Sequence, residues 1–79
     1  MSNATINQML LSGQQDLEWF KNNFIGLVAK HNNEFVALKD QQVIDSNSKL
    51  DELMNNLKKK QIDTATILIE FVSKVRLIL

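Results

Sequence analysis

The sequence predicts an α+β domain with the order α-β-β-α-β, in which a three-stranded mixed sheet carries two helices on one face. Three observations predict this class. Two stretches repeat apolar residues at the spacing of an amphipathic helix. Between them lie two short runs of strand character, separated by four polar residues. The closing stretch, Thr64 to Leu79, alternates along most of its length with the period of a strand.

The first helix is predicted to begin near Ser12, because that hydroxyl and Gln15 three positions later form a capping-box pattern. Residues 1–12 are then an N-terminal arm, and residues 2–4 resemble the remnant of an expression tag. Residues 13–79 form a single α+β domain with an extended C-terminal strand. The helix presents one apolar stripe to the core, made by Leu17, Phe20, Phe24, Leu27, Val28 and His31.

Asn32 and Asn33 suit a left-handed exit from this helix. Two strands are predicted next, Glu34 to Leu38 and Val43 to Asp45, joined by a four-residue loop without the glycine that a tight turn prefers. Ser48 and Asp51 repeat the capping pattern ahead of a second helix of about three turns, with Leu50, Leu53, Met54 and Leu57 on its apolar side.

The closing stretch is too long for one strand of a small sheet. Fully extended at about 3.3 Å per residue, residues 66–79 would span roughly 45 Å. It therefore bends near Ser73 and Lys74, or its end is covered by a second chain. A right-handed crossover predicts that this strand runs in the direction of the second strand. The strand order is left open, and one arrangement places the first strand between the other two. With both helices on one face, Leu68 and Val72 would lie on an open face.

The composition excludes several classes of function. Nine basic and nine acidic residues balance in a chain of 79, which argues against the strong positive field of a general nucleic-acid binder. The chain has no cysteine, so it carries no disulfide or thiolate metal site and suits a reducing compartment. We expect a cytoplasmic protein without a membrane segment, and the sequence indicates no cofactor and no metal.

The leading hypothesis is a non-catalytic module that acts in self-association or protein–protein interaction, as a homodimer through the last strand or the open sheet face. A domain this short buries a small fraction of its surface, so association would stabilise it. Trp19 packs against the N-terminal arm or the sheet edge, anchors an interface or stacks on a nucleobase. The candidate interface residues are Trp19, Leu68, Val72, Val75, Leu77, Ile78 and Leu79.

Two alternatives belong to other classes. A weak nucleic-acid-binding protein would contact phosphates with Lys58, Lys59, Lys60 and Arg76. A small enzyme would use His31 with Asp45 or Glu70, provided that the fold brings them together.

The apolar positions also resemble a known family. Trp19 and Phe20 on the first helix, the strand Phe35 to Leu38, Val43, the helix Leu50 to Leu57 and the strand Ile67 to Val72 are similar to small, mostly archaeal domains of unknown function. The resemblance covers roughly Asp16 to Val72 and implies the α+β fold without an activity. The family pattern usually has glycine where this chain has Asn33 and Gln41, so we expect unusual turns there.

Overall fold

The structure is a computed structural model that describes the backbone of residues 3–77 and the side chains of residues 13–75. It confirms the α+β class and the helix-strand-strand-helix-strand order. The elements are α1 Asn3–Asn22, α2 Phe24–His31, β1 Glu34–Leu38, β2 Val43–Asn47, α3 Leu50–Lys59 and β3 Leu68–Val72, with short 3₁₀ turns at Thr64–Thr66 and Lys74–Leu77.

The sheet has the order β2-β1-β3, so the first strand is central, which is one of the arrangements that the sequence left open. Both hydrogen-bonded pairs are antiparallel, and the prediction of a mixed sheet was wrong. Strands β2 and β3 nevertheless run in the same direction, as the crossover rule requires, because β1 lies between them. A bulge interrupts the β1–β2 pair between Ala37 and Leu38.

The two helical layers lie on opposite faces of the sheet, and the prediction of two helices on one face was wrong. Val36, Leu38 and Val72 share one face and pack with Phe20 of α1 and Leu27 of α2. Ala37 lies on the other face and packs with Leu53 and Leu57 of α3. Because each face has its own buried cluster, no face of the central strand is open to solvent.

Helix α1 begins at Asn3, so the predicted start at Ser12 was wrong, and the backbone of residues 3–12 continues the helix. The predicted single helix is instead divided at Asn23. Its side-chain Nδ2 and its backbone N–H both donate to the carbonyl of Trp19, at 2.8 and 3.0 Å. A side-chain amide that competes for a helical carbonyl disturbs the regular bonding pattern, which accounts for the interruption.

Helix α3 begins without the predicted cap at Ser48, because Lys49 is its N-cap residue and no side chain caps it. Its C-terminus forms a Schellman motif. The backbone N–H of Ile62 donates to the carbonyl of Leu57 and that of Gln61 to Lys58, at 3.0 and 2.9 Å. Ile62 packs on the Leu53 and Leu57 cluster, the apolar contact that commonly accompanies this motif.

Four residues other than glycine adopt positive φ: Asn33 at 64°, Asp40 at 52°, Gln41 at 60° and Gln61 at 60°. Asn33 confirms the predicted left-handed exit. Asp40 and Gln41 are the two central residues of a tight hairpin turn, since the backbones of Lys39 and Gln42 exchange two hydrogen bonds. Type I′ turns require positive φ at both positions. The two positions where the resembling family usually has glycine, Asn33 and Gln41, are thus both left-handed.

Replacing Gln41 or Gln61 by glycine is expected to raise the free energy of unfolding by about 0.5–1 kcal/mol each. The left-handed conformation costs an L-residue roughly 1–2 kcal/mol, which exceeds the extra chain entropy that glycine brings to the unfolded state. Gln42→Gly is the matched control, because residue 42 has no positive φ and glycine there should destabilise. Urea unfolding measures all three variants, and a loss of stability in Gln61→Gly would contradict the assignment.

Candidate functional site

Strand β3 is one of the two edge strands, and its two edges differ. Its inner edge pairs with β1 over five residues in regular register, from Leu68 opposite Leu38 to Val72 opposite Glu34. Within residues 3–77, no strand pairs with its outer edge. An unpaired edge presents a row of backbone N–H and C=O groups that can pair with another strand.

The opposite edge strand, β2, is protected in two ways. A bulge breaks its register with β1, and bulges twist an edge away from further pairing. Lys60 of the α3 C-terminus forms an ion pair at 3.0 Å with Asp45 of β2. Strand β3 has neither a bulge nor a lysine nor a proline, and four of its five residues are apolar, Leu68, Ile69, Phe71 and Val72.

The α3 side of β3 is only partly covered. Phe71 is 38% exposed, and its ring lies 4.8 Å, centroid to centroid, from that of Phe35 on the central strand. Helix α3 makes its main sheet contacts with β2 and β1, so it leaves the third strand at the margin of that face. An exposed aromatic side chain therefore stands beside the unpaired edge.

The structure places the predicted interface residues in different environments. Val72 is completely buried under α1 and α2, and half-buried Leu68 packs on the same cluster. Their assignment to an open sheet face was wrong, because the helices α1 and α2 cover that face. Val75 is 61% exposed. The side chain of Leu77 and the whole of Ile78 and Leu79 lie outside the described residues.

The chain leaves the sheet at Ser73, where the bend was predicted. The backbone N–H of Lys74 donates to Oδ1 of Asn32 at 2.8 Å, and that of Val75 donates to the Ser73 hydroxyl at 3.3 Å. Ser73 is itself buried. Strand β3 ends at Val72 because the following amides bond to these side chains and the backbone enters the turn Lys74–Leu77.

Trp19 is half-buried and packs against the cluster that contains Phe20 and Val36. It also lines a surface cleft between α1 and the tip of the β1–β2 hairpin, together with Gln15, Glu18, Asn22 and Gln41. The sequence analysis missed this group, although the four helix residues have the i, i+3, i+4, i+7 spacing of one helical stripe. The contribution of Gln41 comes from the hairpin and has no local sequence signal.

The candidate phosphate contacts do not gather on one surface. Lys58, Lys59 and Lys60 are exposed at the end of α3, and Lys60 is paired with Asp45 of the β2 edge. Arg76 follows β3, at the opposite edge of the sheet, and its side chain is not among those described. The three lysines therefore form a solvated helix end beside β2.

The two carboxylates that the enzyme hypothesis offers as alternative partners of His31 lie on opposite faces of the sheet. Asp45 pairs with Ala37 and therefore lies on the α3 face, whereas Glu70 pairs with Val36 on the α1 and α2 face. The carboxylate that contacts His31 in the structure is neither of them, because Nδ1 of His31 lies 2.9 Å from Oε1 of Glu34.

Among the residues that the structure describes, no group of three or more His, Asp or Glu side chains could hold a metal ion. Over the same residues, no helix is both long enough and apolar enough to cross a bilayer.

Comparison with known proteins identifies a family and no activity. The model of DUF5678, a family of unknown function, matches residues 26–75, more than half of the chain. The match confirms the expected resemblance to a family of unknown function and begins ten residues after Asp16. Trp19 and its cleft partners on α1 lie outside the matched range, whereas all three strands and α3 lie within it. No curated protein and no solved structure matches the chain. This chain therefore belongs to the DUF5678 family.

Proposed function

We propose that this protein is a non-catalytic association module that forms a homodimer by pairing β3 with β3 of a second copy. The observation that carries the proposal is that β3 pairs with β1 in regular register and that, within residues 3–77, no strand pairs with its outer edge. Addition of a strand to such an edge is a common mode of protein association. Because the whole strand lies in the family match, the proposal applies to the part of the chain that defines the family.

A second copy is the partner that fits this edge. Identical strands related by a two-fold axis pair antiparallel, and such an interface is self-complementary. The pair would join two three-stranded sheets into one continuous antiparallel sheet of six strands. Small domains gain the most stability from such an extension of the sheet. A chain of 79 residues buries only a small share of its surface when it folds as a monomer.

The register of the proposed β3–β3 pair follows from the positions of the charged and aromatic residues in the strand. A two-fold axis through Glu70 would place two carboxylates directly opposite each other, which is destabilising. An axis through Phe71 places Glu70 opposite Val72 and brings two phenyl rings together on the α3 side. Aromatic pairs contribute about 0.5–1.5 kcal/mol beyond the area they bury. We therefore place the axis at Phe71.

Light scattering over a concentration series tests the proposal with a charged variant of the edge. The full chain is expected to reach the dimer mass, and Phe71→Lys to stay monomeric, because lysine on an edge strand opposes pairing. The control is Ile25→Lys, since Ile25 is 76% exposed on α2, a helix that packs on the sheet face opposite to Phe71. A monomeric full chain at high micromolar concentration would end the proposal, and so would a dimeric Phe71→Lys that keeps its helix content.

A single cysteine tests the register, because the chain has no cysteine of its own. Residues directly opposite in an antiparallel pair have Cα atoms about 4.5–5.5 Å apart, a separation that a disulfide can bridge. Phe71→Cys is expected to form a cross-linked dimer on mild oxidation. Ile25→Cys, on a more exposed side chain, is expected to cross-link far more slowly. Equal rates would show that accessibility, and not pairing, governs the reaction.

Removal of residues 75–79 distinguishes the strand from the segment that follows it. If the exposed Val75 and the apolar residues after it extend the interface, a chain ending at Lys74 associates less than the full chain and keeps its helix content by circular dichroism. A parallel loss of helix content and association would assign this segment to the core of one copy.

A further inference from the structure

The cleft between α1 and the hairpin tip has a volume of about 210 Å³, and the described side chains that line it are Gln15, Glu18, Trp19, Asn22 and Gln41. This is smaller than the roughly 300–1,000 Å³ of pockets that enclose a drug-sized ligand, so the cleft would accept only one small functional group. One indole, one carboxylate and three carboxamides provide both an apolar surface and hydrogen-bonding groups. The cleft is independent of the β3 edge, because it lies at the hairpin tip on the α1 side.

Two contacts hold parts of the cleft in place. Asp16, only 4% exposed, accepts a hydrogen bond at 2.7 Å from the backbone N–H of Gln41. This bond ties the hairpin turn to α1. On the other side, the indole of Trp19 packs against the buried cluster around Phe20. Because the turn backbone and the indole are held in place by these contacts, they lose less entropy when a ligand binds.

The charges around the cleft favour a ligand of one charge sign over the other. Glu18 is an exposed carboxylate on the rim, and Asp16 is a second carboxylate on the same turn of α1. None of the five lining residues is Lys, Arg or His. Phosphates and carboxylates would meet negative charge without a cationic partner, so the cleft disfavours nucleotides and organic acids.

We propose that this cleft binds a small organic cation of the alkylguanidinium class. A planar guanidinium stacks on an aromatic face and pairs with a carboxylate through two parallel hydrogen bonds, here with Trp19 and Glu18. Its remaining N–H donors match the carboxamide oxygens of the rim. An alkylammonium carries the same charge but is more strongly hydrated and lacks the planar donor fork, so it binds more weakly.

The test uses the intrinsic fluorescence of Trp19, the single tryptophan of the chain. Butylguanidinium is expected to give a saturable change in emission. Butylurea has nearly the same planar shape without the charge, and is expected to give no saturable change at the same concentrations. Butylammonium is expected to bind about 5-fold to 10-fold more weakly than butylguanidinium. Equal responses to butylurea and butylguanidinium would overturn the proposal.

A variant of the carboxylate tests the same site. Glu18→Gln is isosteric on an exposed side chain, so the fold is retained, and it is expected to weaken butylguanidinium binding about tenfold. Glu52→Gln on α3 is the matched control and is expected to bind as the unaltered chain does. The carboxamide proton signals of Gln15, Asn22 and Gln41 should shift in the same titration. Unchanged affinity in Glu18→Gln, or absence of saturable binding in the unaltered chain, would overturn the proposal.

Discussion

Replacing Leu53 by alanine is expected to lower the free energy of unfolding by about 2–5 kcal/mol, the cost of deleting a fully buried leucine side chain. Leu53 is completely buried between α3 and the sheet. A domain of this size has a total stability of only about 4–12 kcal/mol. The loss is therefore a large part of what holds the fold, and urea unfolding measures it.

The same measurement tests the finding that both faces of the sheet are covered. Phe20→Ala removes a side chain of the opposite layer that is 2% exposed, and is expected to cost about 3–5 kcal/mol. Leu50→Ala is the control on α3, because Leu50 is 43% exposed and its truncation should cost far less. If Leu53→Ala cost no more than Leu50→Ala, α3 would not pack as a second layer. Leu53→Met keeps the side-chain volume, so its free energy of unfolding can still be measured if Leu53→Ala does not fold.

The periodic parts of the sequence predicted their secondary structure because burial of one apolar side decides the conformation of each part. The predicted strand forms at Glu34 to Leu38, and the predicted helix forms after Lys49. The left-handed turn at Asn33 was also predictable, because asparagine tolerates positive φ. The common direction of β2 and β3 followed from a handedness rule that does not depend on side chains, whereas that rule left the strand order open.

The position of the helices could not be predicted in the same way. Strand β3 has apolar residues at both parities, and the sequence predicts that Leu68 and Val72 lie on an open face. The structure buries Val72 completely and leaves Phe71 exposed. In a strand with layers on both faces, parity does not tell which layer reaches further across the sheet. That depends on where α3 crosses, which no local pattern determines.

In the candidate sites, too, some features could be predicted from the sequence and others depend on contacts between distant residues. Edge exposure of β3 followed from the strand order, but the protection of β2 depends on a bulge at Ala37 and on the Lys60 to Asp45 ion pair. The cleft around Trp19 depends on Gln41, which lies 22 positions further along the chain. Asp16 has an ordinary helical context, and its burial arises only when the hairpin tip folds over α1.

Asp16→Ala is expected to destabilise the protein by about 1–3 kcal/mol, because it removes a charged acceptor and leaves the Gln41 amide without its partner. The bond joins residues 25 positions apart, so it stabilises tertiary contact between α1 and the hairpin. Asp16→Asn retains an acceptor oxygen at the same place. It should cost less than alanine, since hydrogen bonds between neutral groups contribute about 0.5–1.5 kcal/mol.

Hydrogen exchange at one backbone position separates this bond from a general loss of stability. The Gln41 amide should lose protection in Asp16→Ala to a greater degree than the amides of the β1–β3 pair, because only the hairpin tip is released. The emission of Trp19 should change with it, since Gln41 and Trp19 line one cleft. Gln41→Gly keeps the backbone donor and should retain protection there. If exchange in Asp16→Ala rose uniformly across the sheet, Asp16 would act through the core and not through the turn.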